Sequence, residues 1–112
     1  MSLKEKPKID TRWQKALKIL ELPDGIVQDN KADNHFLVRA EKDPVLSYSI
    51  KFFPVYDENG KVSKYRGECN CVDYMYRSST DIEHRCKHIL VYFLAKARGK
   101  RIKKVDVTDF IT

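Results

Sequence analysis

Alternating apolar and polar side chains make residues 45–56, VLSYSIKFFPVY, the clearest strand of the chain. Leu46, Tyr48, Ile50 and Phe52 fall on one face of an extended segment, and two serines and a lysine fall on the other. Successive side chains of a strand point to opposite sides of the sheet, so a period of two is typical of a half-buried strand. The pattern therefore predicts a long strand with one face in the core.

The turn after this strand predicts a hairpin. Residues 57–60, DENG, contain an Asn-Gly pair, which tolerates the positive φ of tight hairpin turns. Residues 61–71, KVSKYRGECNC, then return as the partner strand. Pro54 has no N–H for a ladder, so we expect this strand end at an edge or a bulge. Cys69 and Cys71 therefore arrive at the far end of a hairpin.

Apolar residues recur at helical spacing near both ends of the chain. Trp13, Ala16, Leu17 and Leu20 predict a first helix with Trp13 as a core anchor. A second helix is predicted at about residues 86–98, with a wide apolar stripe. The remaining predicted features are an N-cap at Asp10, a helix stop at Pro23-Asp24-Gly25, short strands at 26–28 and 35–40, a helix end at Gly99, and a C-terminal edge strand at 105–112.

Length and composition predict one small α+β domain, an antiparallel sheet or hairpin with helices. The chain has 112 residues, 42% of them hydrophobic and 34% charged, which suits a single folded domain. We expect residues 1–9 to form a flexible basic arm and residues 10–112 to form the domain. No apolar run approaches the roughly 20 residues of a membrane span. The opening MSLKEKPKID has no apolar signal core, so we expect an intracellular protein without a membrane partner, located in the cytoplasm or nucleoid if its source is a prokaryote.

The three cysteines form a metal-ligand pattern. Side chains at positions i and i+2 of an extended segment point the same way, so Cys69 and Cys71 can present both sulfurs to one point. Cys86 stands at the start of the last helix, where the free N–H groups favour a thiolate, and His88 lies in the first turn. Three thiolates and one imidazole match tetrahedral zinc. All four positions would be filled by protein, which indicates one structural Zn²⁺ rather than a catalytic ion.

Three other interpretations of these residues stay open on the sequence. Cys69 and Cys71 with His84 and His88 imitate a two-Cys two-His finger, although that finger has two to four residues between its cysteines. The cysteines could instead be ordinary buried small residues. A cysteine nucleophile with His84 or His88 as its base is the third alternative. His35 precedes an apolar strand and is predicted to be a surface or packing histidine.

The ligand pattern resembles the SWIM zinc finger. Cys69-Asn70-Cys71, a spacer over residues 72–85 and Cys86-Lys87-His88 match its Cys-x-Cys and Cys-x-His halves. The acidic-aromatic pair Asp73-Tyr74 and the apolar continuation of CKHILVYFL are also similar to that family. The resemblance covers residues 45–97 and implies a ββα module held by zinc. SWIM modules bind DNA or other proteins, and small stand-alone members act beside paralogues of RecA-type recombinases.

Charge placement favours a polyanionic partner. The net charge of +6 is divided into +4 over residues 1–18, −4 over 19–60 and +6 over 61–112. Neutralising phosphates releases counterions, so we expect salt-sensitive contacts with a nucleic-acid backbone, DNA before RNA, with little sequence preference. Tyr65, Tyr74 and Tyr76 are candidates for stacking on unpaired bases. The predicted nucleic-acid-binding residues are Arg77, Arg85, Lys87, Lys96, Arg98, Lys100, Arg101, Lys103 and Lys104, the last six within the basic segment 96–104.

Two other functional classes remain open. A protein-interaction subunit of a recombination, repair or other nucleoprotein complex would use edge strands near Pro54 or at 105–111, or the exposed side of the first helix. The acidic middle of the chain, residues 19–60, would face a basic surface of the partner. An enzyme is the least favoured class, because the closed zinc shell has no open coordination site. We therefore expect no catalytic residues.

Overall fold

A five-stranded sheet with helices packed on one face is the framework of the protein. The computed structural model describes residues 11–40, 46–80 and 84–109. The predicted basic arm at residues 1–9 and the N-cap at Asp10 lie outside the described residues. In chain order the elements are α1 (Thr11–Glu21), β1 (Ile26–Asp29), β2 (His35–Arg39), β3 (Ser47–Tyr56), β4 (Val62–Cys69), α2 (Val72–Arg77), α3 (Lys87–Ala97) and β5 (Lys103–Val105), followed by a 3₁₀ turn at Val107–Asp109.

The sheet has the strand order β4-β3-β2-β1-β5. β1 to β4 form an antiparallel meander, and β5 joins β1 in parallel. The α+β class is confirmed, and the C-terminal edge strand pairs in parallel with β1, an orientation that the sequence pattern did not predict. The edge strand expected at 105–112 begins earlier and ends at Val105, because Asp106 caps the following 3₁₀ turn. Its Oδ1 accepts hydrogen bonds from the backbone N–H and the hydroxyl of Thr108, at 3.1 and 2.7 Å. Residues 110–112 lie outside the described residues.

The hairpin β3–β4 forms as predicted. Asp57 Oδ1 accepts hydrogen bonds from the N–H groups of Asn59 (2.8 Å) and Lys61 (3.0 Å), and Gly60 has a φ of 79°. The pairing of β3 with β2 stops at Lys51, which lies opposite His35, the first residue of β2. Pro54 therefore pairs only with β4 and needs no N–H on its other side. A register shift after Val55 bends the strand tip. The expectation of an edge or bulge near Pro54 is confirmed.

α3 packs on the sheet, and α1 packs against α3. The predicted α1 is confirmed, but the placement of Trp13 in the core is wrong, since 43% of this residue is exposed. α1 buries Ala16, Ile19 and Leu20. Arg12 lies in the first turn of α1 on the side that faces α3. Its guanidinium donates a hydrogen bond to the carbonyl of Arg85 at 2.7 Å. A polar contact between backbone and guanidinium therefore fastens the start of α1.

His35 bridges three strands on the other face of the sheet. Its Nδ1 lies 3.0 Å from Asp29 Oδ2, and its Nε2 lies 2.6 Å from Ser49 Oγ. The hydrogen bond to His35, with a second one from the backbone N–H of Lys31, lowers the pKa of Asp29. The ring is mostly buried, so His35 acts as a packing histidine, one of the two roles expected. The network fastens β1, β2 and β3 together without an apolar contact.

Gly67 allows α3 to approach β4 closely. A methyl group at this position would lie 2.9 Å from Phe52 Cε1 and 3.3 Å from Ile89 Cγ2. Both neighbours belong to the buried core, so neither can move away freely. The missing side chain therefore sets the distance between the end of β4 and the first turns of α3, which carry the chemically reactive residues.

We predict that Gly67→Ala destabilises the protein by about 1–3 kcal/mol, the usual cost of overpacking a dense core. Urea unfolding followed by circular dichroism measures the loss. Gly60→Asn is the matched control, because Gly60 has open space around it and asparagine tolerates its positive φ. Equal stability of Gly67→Ala and the wild-type chain would contradict the close packing of α3 on β4.

Candidate metal centre

Cys69 and Cys71 are presented by the end of β4. Cys69 is its last residue, and Cys71 has extended backbone angles of −75° and 158° at the N-cap of α2. The intervening Asn70 is clamped to β3, since its N–H donates to Ser49 O (3.2 Å) and its Oδ1 accepts from Ser49 N–H (2.9 Å). This clamp keeps the segment extended, so both cysteine side chains point the same way, as the spacing predicts.

Cys86 and His88 are presented by the start of α3. Cys86 is the N-cap residue, with extended angles of −74° and 170°, and the helix proper begins at Lys87. The carbonyl of Cys86 accepts the first helical hydrogen bond, from Leu90 N–H at 3.1 Å. Since Cys86 is half outside the helix, its sulfur and the His88 ring turn to the same side. The expected position of these two residues at a helix start is confirmed.

The four predicted ligands form one buried cluster. The candidate ligand atoms of Cys69, Cys71, Cys86 and His88 all lie within 4.8 Å of one another. His88 Nδ1 is 3.8 Å from Cys69 Sγ and 3.9 Å from Cys86 Sγ. A tetrahedral ion with metal–sulfur bonds of about 2.3 Å and a metal–nitrogen bond of about 2.0 Å separates sulfur and nitrogen by about 3.6 Å. The cluster therefore has nearly the size that such an ion requires.

The charges of the cluster also indicate a cation. Hydrogen bonds from the thiols of Cys69 and Cys86 lower the pKa of Cys71, and the N–H of Tyr74 adds a bond to its sulfur at 3.3 Å. Donation to Cys71, followed by the interaction with Cys86 and burial, raises the pKa of Cys69. The close approach of the three sulfurs therefore lowers the pKa of one thiol and raises that of another. A bound cation would stabilise all three thiolates together.

The ring of His88 is held by packing on its face and by contacts of Nδ1 with two cluster sulfurs. The Tyr48 ring lies over the imidazole, with 4.2 Å between centroids and 33° between planes. Nδ1 faces the sulfurs, and the buried Nε2 has no hydrogen-bond partner among the described residues. Nδ1 is therefore the nitrogen that can ligate an ion, with the proton of the neutral ring on Nε2.

His84 does not belong to the cluster. Its Nε2 lies 3.0 Å from Asp73 Oδ2, and Asp73 Oδ1 also accepts from Arg77 Nε at 3.0 Å. The two-Cys two-His interpretation is therefore not the set that the fold brings together, although His84 is buried nearby. Asp73 instead ties α2 to the segment before α3. The contact between Asp73 and His84 therefore joins the segment after Cys71 to the segment before Cys86.

The predicted nucleic-acid-binding residues are at the surface but do not form one continuous row. Arg77 pairs with Asp73, and Arg85 lies 4.4 Å above the ring of Phe93. The basic segment 96–104 is divided among different elements. Lys96 and Arg98 lie at the end of α3, Lys100 donates to the carbonyl of Leu20 at the end of α1, Arg101 is exposed before β5, and Lys103 and Lys104 lie on β5, where Lys104 is 3.9 Å from Asp33.

A cleft of about 510 Å³ opens beside the metal centre, at the meeting point of the three helices. Cys71, Cys86 and His88 line its floor. Among the described residues that line it, four side chains are basic and one is acidic: Arg12, Lys15, Arg77, Lys87 and Asp73. Arg77 and Lys87 were predicted from the sequence. Arg12 and Lys15 were missed, and their only local signal is the i, i+3 spacing that places them on one face of α1.

The candidate stacking tyrosines have different positions. Tyr74 is buried against the core, so its predicted role in stacking on bases is wrong. Apolar packing of α2 requires that ring, and burial raises the pKa of its hydroxyl. Tyr65 is 62% exposed and Tyr76 is 81% exposed, so both rings are available to a ligand.

Comparison of the chain with protein-family models, with curated proteins and with solved structures finds no match in any of the three. No helix within residues 11–40, 46–80 and 84–109 has the length and apolarity needed to cross a membrane.

We predict that Cys86→Ser abolishes stoichiometric metal binding, because it removes a buried ligand, whereas His84→Ala retains it. The metal-to-protein ratio after purification under reducing conditions measures the difference by elemental analysis. The matched pair separates the two ligand sets, since each variant changes one buried residue near α3. Metal retained in Cys86→Ser and lost in His84→Ala would overturn the assignment.

Proposed function

We propose that this protein is a non-enzymatic zinc-finger protein of the SWIM type that binds nucleic acid mainly through the phosphate backbone. DNA is the favoured ligand and RNA is an acceptable one. The observation that carries the proposal is the basic cleft beside the metal centre, which gathers cations from α1, α2 and α3. The proposal has two parts, a structural metal and a phosphate-binding surface.

The chemistry of the donors supports zinc as the ion. Thiolate sulfur is a poor ligand for magnesium and calcium, and a set of three cysteines and one histidine is common in structural zinc sites. With all four ligands supplied by buried protein atoms, the shell would leave no position for a reactive water. The role of zinc would be to hold the end of β4 against the start of α3.

The cleft supports binding to phosphates. Four basic side chains surround it, and the carboxylate of Asp73 is paired with Arg77. Among the described residues that line the cleft, positive charge therefore exceeds negative charge, which favours an anion. The exposed cations of segment 96–104 extend this field over other parts of the surface. Such contacts favour backbone binding without sequence preference, in agreement with the absence of a recognition-helix pattern in the sequence.

We predict that Lys15→Glu weakens binding of a fluorescein-labelled DNA and lowers the slope of log affinity against log salt by about 0.9 for each lost contact with duplex phosphate. Fluorescence anisotropy over a salt series gives both quantities. Lys18→Glu is the matched control, with the same charge change on an exposed residue of α1 that does not line the cleft.

An equal loss of affinity in the two variants would show that only the net charge matters, and it would contradict a binding site in the cleft. Unchanged affinity in both variants would contradict it as well. Retention of the metal in Lys15→Glu establishes that the cluster itself is intact in the comparison.

A second candidate function is supported by the tip of the β3–β4 hairpin. Phe53, Tyr56 and Val62 expose apolar surface there, and β4 is an edge strand of the sheet. Edge strands with exposed apolar side chains are a common docking surface for other proteins. This surface would suit a subunit that binds a recombinase-like partner. A complex that survives high salt would favour this function, because phosphate contacts are screened under that condition.

A further inference from the structure

We propose that the nucleic acid bound by this protein is single-stranded, and that its unpaired bases stack on Tyr65 and on the Arg85–Phe93 pair. The inference rests on the nucleic-acid function proposed above and adds the class of strand. It concerns an aromatic groove between β4 and α3, outside the basic cleft. The groove is defined here by the residues that its two cavities share: Lys64, Tyr65, Arg85 and Phe93.

The aromatic groove consists of two adjacent cavities with a common wall. One cavity has a volume of about 350 Å³ and the other of about 530 Å³. The larger one continues over Tyr92 and over the edges of Phe36 and Phe52, whose rings are packed against one another. A rigid aromatic floor therefore lies under an open space of the size found in small-ligand sites.

Two flat surfaces at the common wall are suited to bases. The Arg85 guanidinium carbon lies over the Phe93 ring, 4.4 Å from its centre, so the cation is in contact with an aromatic surface. Nucleic-acid bases stack on guanidinium planes as well as on aromatic rings. Tyr65 supplies the second surface, and with 62% exposure its ring is largely unoccupied by the fold. Stacking of this kind accepts any base, because every base has a π-face.

Arg85 connects the aromatic groove with the basic cleft. Its carbonyl accepts the hydrogen bond from Arg12, which lines the cleft, while its side chain lines the groove. It also directly precedes Cys86, the N-cap of α3. A strand with phosphates in the cleft could therefore continue past Arg85 and place its bases in the groove.

The charge around the groove favours a polyanion with exposed bases over an apolar peptide. Lys64 and Arg85 line the shared wall, and Lys96 lies 5.6 Å above the Tyr92 ring beside it. Among the described residues, the lining contains one carboxylate, Asp33, which lies near Lys104. The deepest rings, Phe36 and Phe52, are buried and offer little apolar area for a peptide anchor. A duplex hides its base faces, so only an unpaired strand could use these surfaces.

The test compares Tyr65→Ala with Tyr56→Ala, using fluorescence anisotropy with a labelled oligothymidylate and with a duplex of the same length. Tyr56 is the matched control, because it is 61% exposed on the same hairpin and does not line the groove. We expect Tyr65→Ala to weaken single-strand binding about 5- to 100-fold, which is the range for one lost base stack, with little change for the duplex. Tyr56→Ala should leave both affinities unchanged.

Arg85→Lys provides an independent measurement, because it keeps the charge and removes the flat stacking surface. We expect it to weaken oligothymidylate binding while the salt dependence stays unchanged. Photocrosslinking with iodouridine in the single strand should place the crosslink on Tyr65, as mass spectrometry of the digested complex would show.

Three results would overturn the inference. The first is that Tyr65→Ala, Tyr56→Ala and the wild-type protein bind the single strand with equal affinity while Lys15→Glu still weakens binding. Phosphate binding in the cleft would then stand, and the stacking role of Tyr65 would be excluded. The second is a higher affinity of the wild-type protein for the duplex than for the single strand. The third is that Tyr65→Ala loses binding to a protein partner but keeps its affinity for the oligonucleotide. That result would indicate that the aromatic groove binds a peptide.

Discussion

The meeting of β4 with the start of α3 at four buried ligand atoms is the constraint on which the rest of the protein depends. Three sulfurs and one imidazole nitrogen lie within 4.8 Å of one another there. A cation bound by these four atoms would join a strand end to a helix start. In a chain of 112 residues, a link of this kind adds stability that a small apolar core supplies only in part.

The supports of this centre come from neighbouring elements rather than from the ligands themselves. Asn70 is clamped to Ser49, Tyr48 covers the His88 ring, and Asp73 fixes the loop before α3 through His84. Gly67 permits the helix to approach the strand. These contacts lie on or beside the residues that carry the candidate ligand atoms, so hydrogen bonds and packing both help to position the cluster.

The same arrangement accounts for the two proposed binding surfaces. The N-terminal ends of α1, α2 and α3 meet at the Cys/His cluster, and basic side chains from the three helices line the cleft. Arg85 then leads to the aromatic groove on the other side of α3. The metal centre would act as a rigid base for both surfaces without taking part in chemistry, which is how a structural ion contributes to recognition.

Local patterns predicted the members of the Cys/His cluster and most elements, because these depend on residues a few positions apart. The i, i+2 spacing of Cys69 and Cys71, the helix start at Cys86 and the turn at Gly60 all follow from such short-range rules. Tertiary packing determined the rest. Trp13 is exposed rather than in the core, and Tyr74 is buried rather than exposed. Arg12 and Lys15 line the cleft although they are distant in sequence from its other residues. The basic segment 96–104 was divided between a helix end and a parallel strand, since its partners Leu20 and β1 lie far away in sequence. Periodicity reports which face of an element is apolar, but only the packed fold determines which elements those faces meet.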